Sequence, residues 1–514
     1  MPNRFDFGGV SLRAGGDNSA TRRTPETPFC IAIVGDFSGR ASRGIANPKT
    51  IAERRPHLVD RDNFEEVLAK HQVELHLPTG GDAPVMFRFR ELEDFHPDRL
   101  FENDAFRQFK RLREQLQDPE RFARVAEQAG LLPPEPASPA GAENPTRVVV
   151  PNPFRLASGS LLDDMIEQTE SRLAELPRRT DAVHDFAREL GAKYAVSAPD
   201  ARQEEVIAAV DRAIGDAMSA ILHHPQFQAL EALWRATFLL VRELETDSSL
   251  RIYLVDISRE ELAADLKASD ARETGVYRLF VEQGIQTPGA DPWSLVVLNV
   301  RFGALSGDLN AMSRLAKIAH AGGAVFVAEA DSSLLGCKSL AETPHPRDWK
   351  GIAEAETWAT LRHLSEAASL ALALPRFLLR LPYGKRTSAV ESIEFEEFPE
   401  PPVHEHYLWG NPAFAVALLL GQSFSEAGWE MQPGSVAQIN HLPQHVYGGP
   451  GESESKPCAE VMLTDAAVER ILAQGLIPLV AFKGRDSVRV GRFQSVADGG
   501  RALTGRWEVN AGSN

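Results

Sequence analysis

A proline-rich stretch divides this chain and constrains the fold on either side of it. Seven of the 34 prolines fall between Pro133 and Pro153. Because proline lacks a backbone N–H and has a fixed φ angle, this density disfavours a helix and favours an extended linker. We therefore predict a linker at 131–157. Within it, the β-prone run at 148–150 either pairs with a sheet elsewhere or belongs to a solvated tether.

The linker and the composition around it predict four segments. Residues 1–28 are rich in Gly, Asn, Ser and Arg, which is typical of a mobile N-terminus. Residues 29–130 are predicted to form a small α+β domain. Residues 158–514 are predicted to form a larger α/β domain with a mixed sheet, so the predicted fold class is α/β (α+β).

Segment 29–130 combines strand and helix patterns. An apolar run predicts a strand at 31–34, and alternation with period two predicts strands at 73–77 and 85–89. The last two flank the sequence PTGGD at 78–82, which is typical of a hairpin turn. A charged stretch at 97–128 predicts a helix.

Segment 158–514 begins with helical patterns and then alternates between strands and helices. A capping-box pattern starts a predicted helix at 160–173, and an apolar stripe with helical spacing runs from Val206 to Ile221. His223 and His224, before a proline, mark a helix end. The alternation that follows indicates a partly parallel sheet. Its strands are predicted at 250–257, 294–300, 324–328 and 375–381, and its helices at 259–268, 273–284, 308–321 and 357–371.

The composition excludes several classes of protein. The chain has 55 Lys and Arg against 72 Asp and Glu, a net charge of −17, whereas proteins that bind nucleic acid cluster Lys and Arg. Its three cysteines, Cys30, Cys337 and Cys458, lie far apart, as is typical of a reducing cytosol. No apolar stretch reaches the ~20 residues that span a bilayer, so we expect no membrane insertion.

Motifs that carry catalytic chemistry are missing. Gly39 and Gly44 have the glycine spacing of a phosphate-binding loop, but Ile45 and Ala46 stand where that loop needs Lys and Ser or Thr. An ordinary turn is therefore favoured. The sequence has no GxSxG, HExxH or GxGxxG motif.

Two histidine pairs have spacings that metal ligands also show. His404 and His406 would lie on one face of a strand, and His441 and His445 are four residues apart, although Pro443 disfavours a helix there. Neither pair has an obvious third ligand beside it. A surface or interface role is therefore favoured over metal binding.

The acidic cluster and the tryptophans also have two interpretations each. Paired carboxylates perform acid–base chemistry when a pocket separates their pKa values, but a charged strand edge is favoured here. Without a basic setting, the tryptophans are predicted to be core or interface anchors. The glutamates are Glu391, Glu394, Glu396, Glu397 and Glu400, and the tryptophans are Trp234, Trp293, Trp349, Trp358, Trp409, Trp429 and Trp507.

Several stretches resemble the contractile sheath proteins of bacterial type VI secretion systems. Residues 29–130 resemble the small (TssB/VipA-like) sheath protein, and residues 158–495 resemble the large (TssC/VipB-like) one. The first likeness lies in IVGDFSGR at 33–40, DNFEEVL at 62–68 and FHPD at 95–98. The second lies in LHHPQFQALE at 222–231 with Trp234, LPRFLLRLPYG at 374–384, HEHYLWGN at 404–411 and GLIPL at 475–479.

The resemblance implies a fusion of two proteins that are normally separate chains of one heterodimer. It implies a structural subunit in the bacterial cytoplasm that assembles around an inner tube and contracts, with no enzymatic activity, cofactor or metal. The implied partners are other sheath subunits, the inner-tube protein, baseplate components and a Clp-family unfoldase, with no nucleic acid.

The resemblance also implies two contact sites. The unfoldase would bind the helix after the linker through Leu161, Leu162, Met165 and Ile166, which share one face, unless that face packs in the protein's own core. Val148, Val149 and Val150 would supply a donated strand. The family continues for several tens of residues beyond 495, whereas this sequence stops at Asn514. An alternative is therefore a non-contractile accessory that caps the sheath or links it to the baseplate.

Overall fold

The computed structural model describes residues 5–7, 10–12, 26–78, 84–131, 202–285, 290–352, 354–398, 401–448 and 453–508. The predicted linker from residue 132 onwards and the predicted helix at 160–173 lie outside these ranges. The residues proposed for strand donation (Val148, Val149 and Val150) and for unfoldase binding (Leu161, Leu162, Met165 and Ile166) lie outside them too.

Helices and strands alternate through most of the described chain. The strands are β1 Phe5–Phe7, β2 Val10–Leu12, β3 Phe29–Gly35, β4 His57–Val59, β5 Val73–Leu77, β6 Val85–Phe89, β7 Leu250–Asp256, β8 Trp293–Phe302, β9 Val325–Ala330, β10 Leu370–Leu374, β11 Phe377–Leu378, β12 Trp409–Gly410, β13 Gln438–Ile439, β14 Val446–Tyr447, β15 Glu454–Ser455, β16 Ile477–Ala481 and β17 Val488–Val490. The helices are α1 Phe64–Lys70, α2 Pro97–Phe101, α3 Arg107–Gln117, α4 Phe122–Gln128, α5 Gln203–Leu222, α6 Pro225–Glu243, α7 Arg259–Asp265, α8 Gly275–Tyr277, α9 Gln283–Ile285, α10 Ser306–Gly322, α11 Ala355–His363, α12 Pro412–Ala427 and α13 Asp465–Ala473.

Nine strands form the main sheet, in the order β13-β17-β16-β10-β9-β8-β3-β7-β4. The six strands from β16 to β7 are parallel to one another. Strand β4 at one edge and strands β17 and β13 at the other are antiparallel to their neighbours. The sheet is therefore mixed, and the predicted α/β fold class is confirmed.

The chain folds into two compact units, and each takes residues from both sides of the predicted linker. The first unit contains residues 1–73, 229–381 and 407–514, and the second contains residues 74–228 and 382–406. The main sheet belongs to the first unit. The boundaries of the four sequence segments stay a prediction, because compact units follow contacts and not the order of the chain.

The second unit joins segments 29–130 and 158–514 by both apolar and charged contacts. The ring of Phe95 stacks on that of Phe89 with centroids 4.1 Å apart and lies 5.8 Å from that of Phe227. Arg113 on α3 donates to Asp211 on α5 at 2.7 Å. The two segments therefore share a core within this unit.

Two elements of segment 158–514 were placed wrongly by sequence. The helix predicted at 357–371 ends at His363. The strand of the main sheet is β10, Leu370–Leu374, which precedes the predicted strand at 375–381; within that range only Phe377–Leu378 (β11) is a strand. All five β10 residues are buried between parallel neighbours, which outweighs the helix propensity of Leu and Ala. Pro375 then lacks the N–H that would extend the ladder.

The charged stretch at 97–128 is not one helix, contrary to the prediction. It consists of α2, a 3-10 turn, α3 and α4. At the breaks, Asn103 accepts the N–H of Ala105 and Asp118 accepts the N–H of Glu120. Such local side-chain bonds compete with the helical ladder and end it.

The last described residues return to the core of the first unit. Arg506 is 6% exposed, and it donates from Nε to the carbonyl of Trp293 at 2.9 Å and from Nη2 to that of Gly322 at 2.8 Å. Burial lowers the pKa of Arg506 to about 10. Gly322 ends α10, so the negative end of that helix dipole favours the guanidinium.

We expect Arg506→Met to lower the free energy of unfolding by about 1–3 kcal/mol, because two buried carbonyls lose their donor. Urea unfolding followed by circular dichroism measures this. Arg501→Met is the matched control, since Arg501 is exposed in the same segment, and it should change stability by less than about 0.5 kcal/mol. Equal losses in the two variants would contradict the assignment.

Candidate functional site

Strand β3 carries residues of segment 29–130 into the middle of the main sheet. All seven of its residues are buried. It pairs in parallel with β7 along its whole length and with β8 from Cys30 to Val34. A strand with parallel neighbours on both sides is apolar on both faces, which explains the unbroken apolar run. We use the term junction for β3, the loop at 36–54, and the residues of α6, α7, β7 and β8 that contact this strand or this loop.

The loop after β3 turns on the carboxylate of Asp36. This carboxylate accepts the backbone N–H groups of Arg40 at 2.5 Å and Ala41 at 3.0 Å, and Gly39 and Gly44 have φ angles of 75° and 66°. Burial raises the pKa of Asp36 to about 6 against the effect of these hydrogen bonds. Asp36 therefore accepts two backbone amides of this loop, and the loop is a turn, as predicted.

Glu261 on α7 lies at the centre of the polar part of the junction. Its side chain is 0% exposed and accepts hydrogen bonds from Arg40 Nε at 3.0 Å and from Arg54 Nη2 at 2.7 Å. It also accepts the backbone N–H of Asn47 at 2.6 Å and forms a capping box with Ser258. Burial opposes its ionisation, but the hydrogen bonds that it accepts outweigh burial and lower the pKa of Glu261.

A second carboxylate, Asp256 at the end of β7, binds the same loop. It accepts the backbone N–H of Ser38 at 3.1 Å and the Ser38 hydroxyl at 2.7 Å. Arg40 Nη1 lies 3.7 Å from it. Two acidic residues of segment 158–514 therefore hold the loop of segment 29–130 by charge and by hydrogen bonds.

Trp234 on α6 is the centre of the apolar part of the junction. It is fully buried, and its Nε1 donates to the carbonyl of Phe37 at 3.1 Å. Its ring meets those of Phe37 and Phe64 edge-on, with centroids 5.0 and 5.8 Å apart. Such edge-to-face pairs stabilise a core beyond the area that they bury.

Sequence reasoning missed the buried ion pairs of the first unit. Arg380 Nε donates to Glu231 Oε1 at 2.8 Å, with exposed fractions of 9% and 0% for the two side chains. Arg235 Nε bonds the same oxygen at 2.7 Å. The available signal was a charged residue inside an apolar stretch, as in 374–384, because a buried charge requires a partner.

The histidines at 404 and 406 occupy a 3-10 turn, and not a strand as predicted. The ring of His406 stacks on that of His223, with centroids 3.8 Å apart and planes 13° apart. His223 follows the last residue of α5, and α6 begins at Pro225, so the predicted helix end is confirmed. Residues far apart in sequence therefore meet here.

The other histidine pair is not brought together around a common site. His445 Nδ1 lies 2.7 Å from the hydroxyl of Tyr407, while His441 is 91% exposed and 3.5 Å from Asp486. Within the described residues, no group of three or more His, Cys, Asp or Glu side chains is placed to hold a metal ion.

The acidic stretch at 391–398 is irregular, so the predicted strand edge is wrong. Asp98 accepts the backbone N–H groups of Glu391 and Ser392, which removes two donors from any strand ladder. Of the glutamates, Glu397 is buried, whereas Glu391, Glu394 and Glu396 are exposed. Glu400 lies outside the described residues.

The tryptophans are core residues, which is one of the two roles predicted for them, core anchor or interface anchor. Their exposed fractions are between 0% and 8% for Trp234, Trp293, Trp349, Trp358, Trp409, Trp429 and Trp507.

In the described part of the chain, no helix has the length and apolar character needed to cross a bilayer.

Comparison with known proteins explains why the junction joins two sequence segments. Residues 204–497, more than half of the chain, match the VipB family, described as EvpB/VC_A0108, tail sheath N-terminal domain. The chain belongs to the VipB tail-sheath family. Residues 15–127 match a second family, described as Type VI secretion system, VipA, VC_A0107 or Hcp2. The predicted fusion of a VipA-like and a VipB-like part is confirmed.

A curated relative also matches the VipB-like part. The type VI secretion system sheath protein TssC1 of Pseudomonas aeruginosa is 31% identical over 293 residues, which are 55% of this chain and 59% of the relative. The chain therefore spans less than two thirds of the length of that relative. In these terms, β3 is a VipA-like strand that lies between two VipB-like strands.

Proposed function

We propose that this chain is a structural subunit of a type VI secretion sheath in which the VipA-like and VipB-like parts act as one unit. The proposal rests on the junction, where β3 is buried between β7 and β8. Removing β3 would open the centre of the main sheet and expose apolar residues on both of its faces. A single chain also supplies the two parts in equal number to an assembly.

The proposed partners are other sheath subunits, an inner-tube protein, baseplate components and a Clp-family unfoldase, in the bacterial cytoplasm. The proposal includes no catalysis, because packing between subunits would store the free energy of contraction. The proposed unfoldase contacts are Leu161, Leu162, Met165 and Ile166. Val148, Val149 and Val150 are the proposed donated strand.

Negative-stain electron microscopy of the purified chain, alone and with its cognate inner-tube protein, tests this function. We expect long striated tubes in the mixture, because a sheath subunit polymerises around a tube. The chain alone is the matched control for dependence on the inner tube. Discrete monomers or small rings in both samples would overturn the proposal and favour an accessory that caps a sheath or binds a baseplate.

A further inference from the structure

A stacked histidine pair joins three parts of the second compact unit. His223 lies at the end of α5, His406 lies in the turn His404–His406, and their rings stack at 3.8 Å. The ring of Phe398 lies 5.8 Å from that of His223 and 6.3 Å from that of His406. Gln228 Nε2 donates to the carbonyls of residues 405 and 406 at 3.3 and 3.2 Å. The turn therefore contacts the end of α5 through this ring stack and contacts α6 through one amide.

One ring nitrogen of each histidine is buried and makes no hydrogen bond. His223 Nε2 and His406 Nδ1 are both buried without a partner. His223 Nε2 lies 3.4 Å from Glu397 Oε1, outside hydrogen-bond geometry. The Glu397 side chain is 0% exposed, and its other oxygen accepts the N–H of Tyr383 at 2.7 Å. The carboxylate thus lies beside His223, and a proton on His406 would enter a partly buried site against the His223 ring.

We propose that His223, Glu397 and His406 form a proton-sensitive latch, which holds the turn at 404–406 against α5 when His406 is neutral and releases it when His406 is protonated. A cationic His406 would lose hydration in this partly buried site, where its ring lies at stacking distance from that of His223. The latch lies wholly within one compact unit, so this inference does not depend on the proposed sheath function.

The charges around His406 agree with this direction. Burial lowers the pKa of His406 from 6.5, and the neighbouring His223 lowers it further. Glu405 in the same turn and Glu397 in the facing segment oppose this shift without outweighing it. Because a released His406 binds protons more readily than a latched one, the latch is fully stabilised above about pH 6.5 and weakens as the pH falls below that value.

Hydrogen exchange with mass spectrometry on the full chain, between pH 5 and 8, tests the latch. After correction for the intrinsic rate, we expect protection of the backbone at 401–408 to fall by about tenfold for each pH unit below the normal histidine pKa, until His406 is protonated in the latched state. His406→Gln should remove this pH dependence, because glutamine does not titrate. Protection that is constant from pH 7 to 5 in the unchanged chain would overturn the proposal.

Two further variants separate the latch from a general effect of acid. His441→Gln removes an exposed histidine outside the latch and should leave the pH dependence of 401–408 intact. Glu397→Gln removes a carboxylate that favours the cationic form of His406, so the fall in protection should extend to a lower pH than in the unchanged chain. A pH dependence that persists unchanged in His406→Gln would assign it to other groups and sink the inference.

Discussion

Replacing Glu261 with alanine is expected to lower the free energy of unfolding by about 3–5 kcal/mol, the range for removing one partner of a buried ion pair. The variant leaves Arg40 and Arg54, whose side chains are 12% and 16% exposed, without their shared carboxylate. It also removes the acceptor of the Asn47 N–H. Urea unfolding measures the loss, and Glu261→Gln, which keeps an acceptor oxygen, should lose less.

The matched control is Glu260→Ala, because Glu260 is exposed on the same helix. That variant should change stability by less than about 0.5 kcal/mol. A protease site placed in 131–157 then tests whether non-covalent contacts hold the two parts together. After cleavage, the two parts of the unchanged chain should elute together in size-exclusion chromatography, and those of Glu261→Ala should separate more readily. Separation in the unchanged chain would show that these contacts, those of the junction included, do not hold the parts together.

The stability of the fold is also expected to depend on pH through the ionisation of Glu261. Its pKa is lowered by accepted hydrogen bonds, so the folded chain binds a proton there less readily than the unfolded chain does. The stabilising effect of this group is therefore present above the normal glutamate pKa and is lost as the pH falls below it.

Local patterns were enough to predict the strands of the junction. The strands predicted at 31–34, 250–257 and 294–300 correspond to β3, β7 and β8. The run at 31–34 is apolar throughout because β3 is buried on both faces. The predicted strand pair at 73–77 and 85–89 is also present, as β5 and β6. These features depend on neighbouring residues alone.

The contacts between distant residues could not be predicted in this way. The position of β10 depends on burial between β9 and β16, which overrides the helix propensity of its leucines and alanines. The pairing of β3 with β7 brings together residues more than 200 positions apart. No spacing rule reports such a contact, so the resemblance to sheath proteins suggested a heterodimer but did not locate its interface.

The ion pairs of the junction were hidden for a related reason. Arg40 belongs to the stretch IVGDFSGR that carries the resemblance, yet nothing in that stretch identifies Glu261 as its partner. Charged residues are common in loops and usually lie in solvent. Only the three-dimensional position of α7 makes the carboxylate buried and its partners obligatory.

We expect Trp234→Ala to lower the free energy of unfolding by about 3–5 kcal/mol, as much as Glu261→Ala, because it empties a large buried site. The ring fills the space between Phe37 and Phe64, which belong to the VipA-like part. Trp234→Phe keeps most of this packing but loses the hydrogen bond to the carbonyl of Phe37, so it should cost about 1–3 kcal/mol. Thermal and urea unfolding distinguish these two losses.

Trp349→Ala is the control that separates junction strength from general stability. Trp349 is 8% exposed and belongs to the VipB-like part, where its Nε1 donates to the carbonyl of Thr343, 6 residues earlier in the chain. Its removal should also lower stability. In chains cleaved within 131–157, however, Trp234→Ala should release the VipA-like part at protein concentrations where Trp349→Ala does not. Equal release by the two variants would mean that the VipA-like part is held by the global stability of the fold and not by contacts of the junction itself.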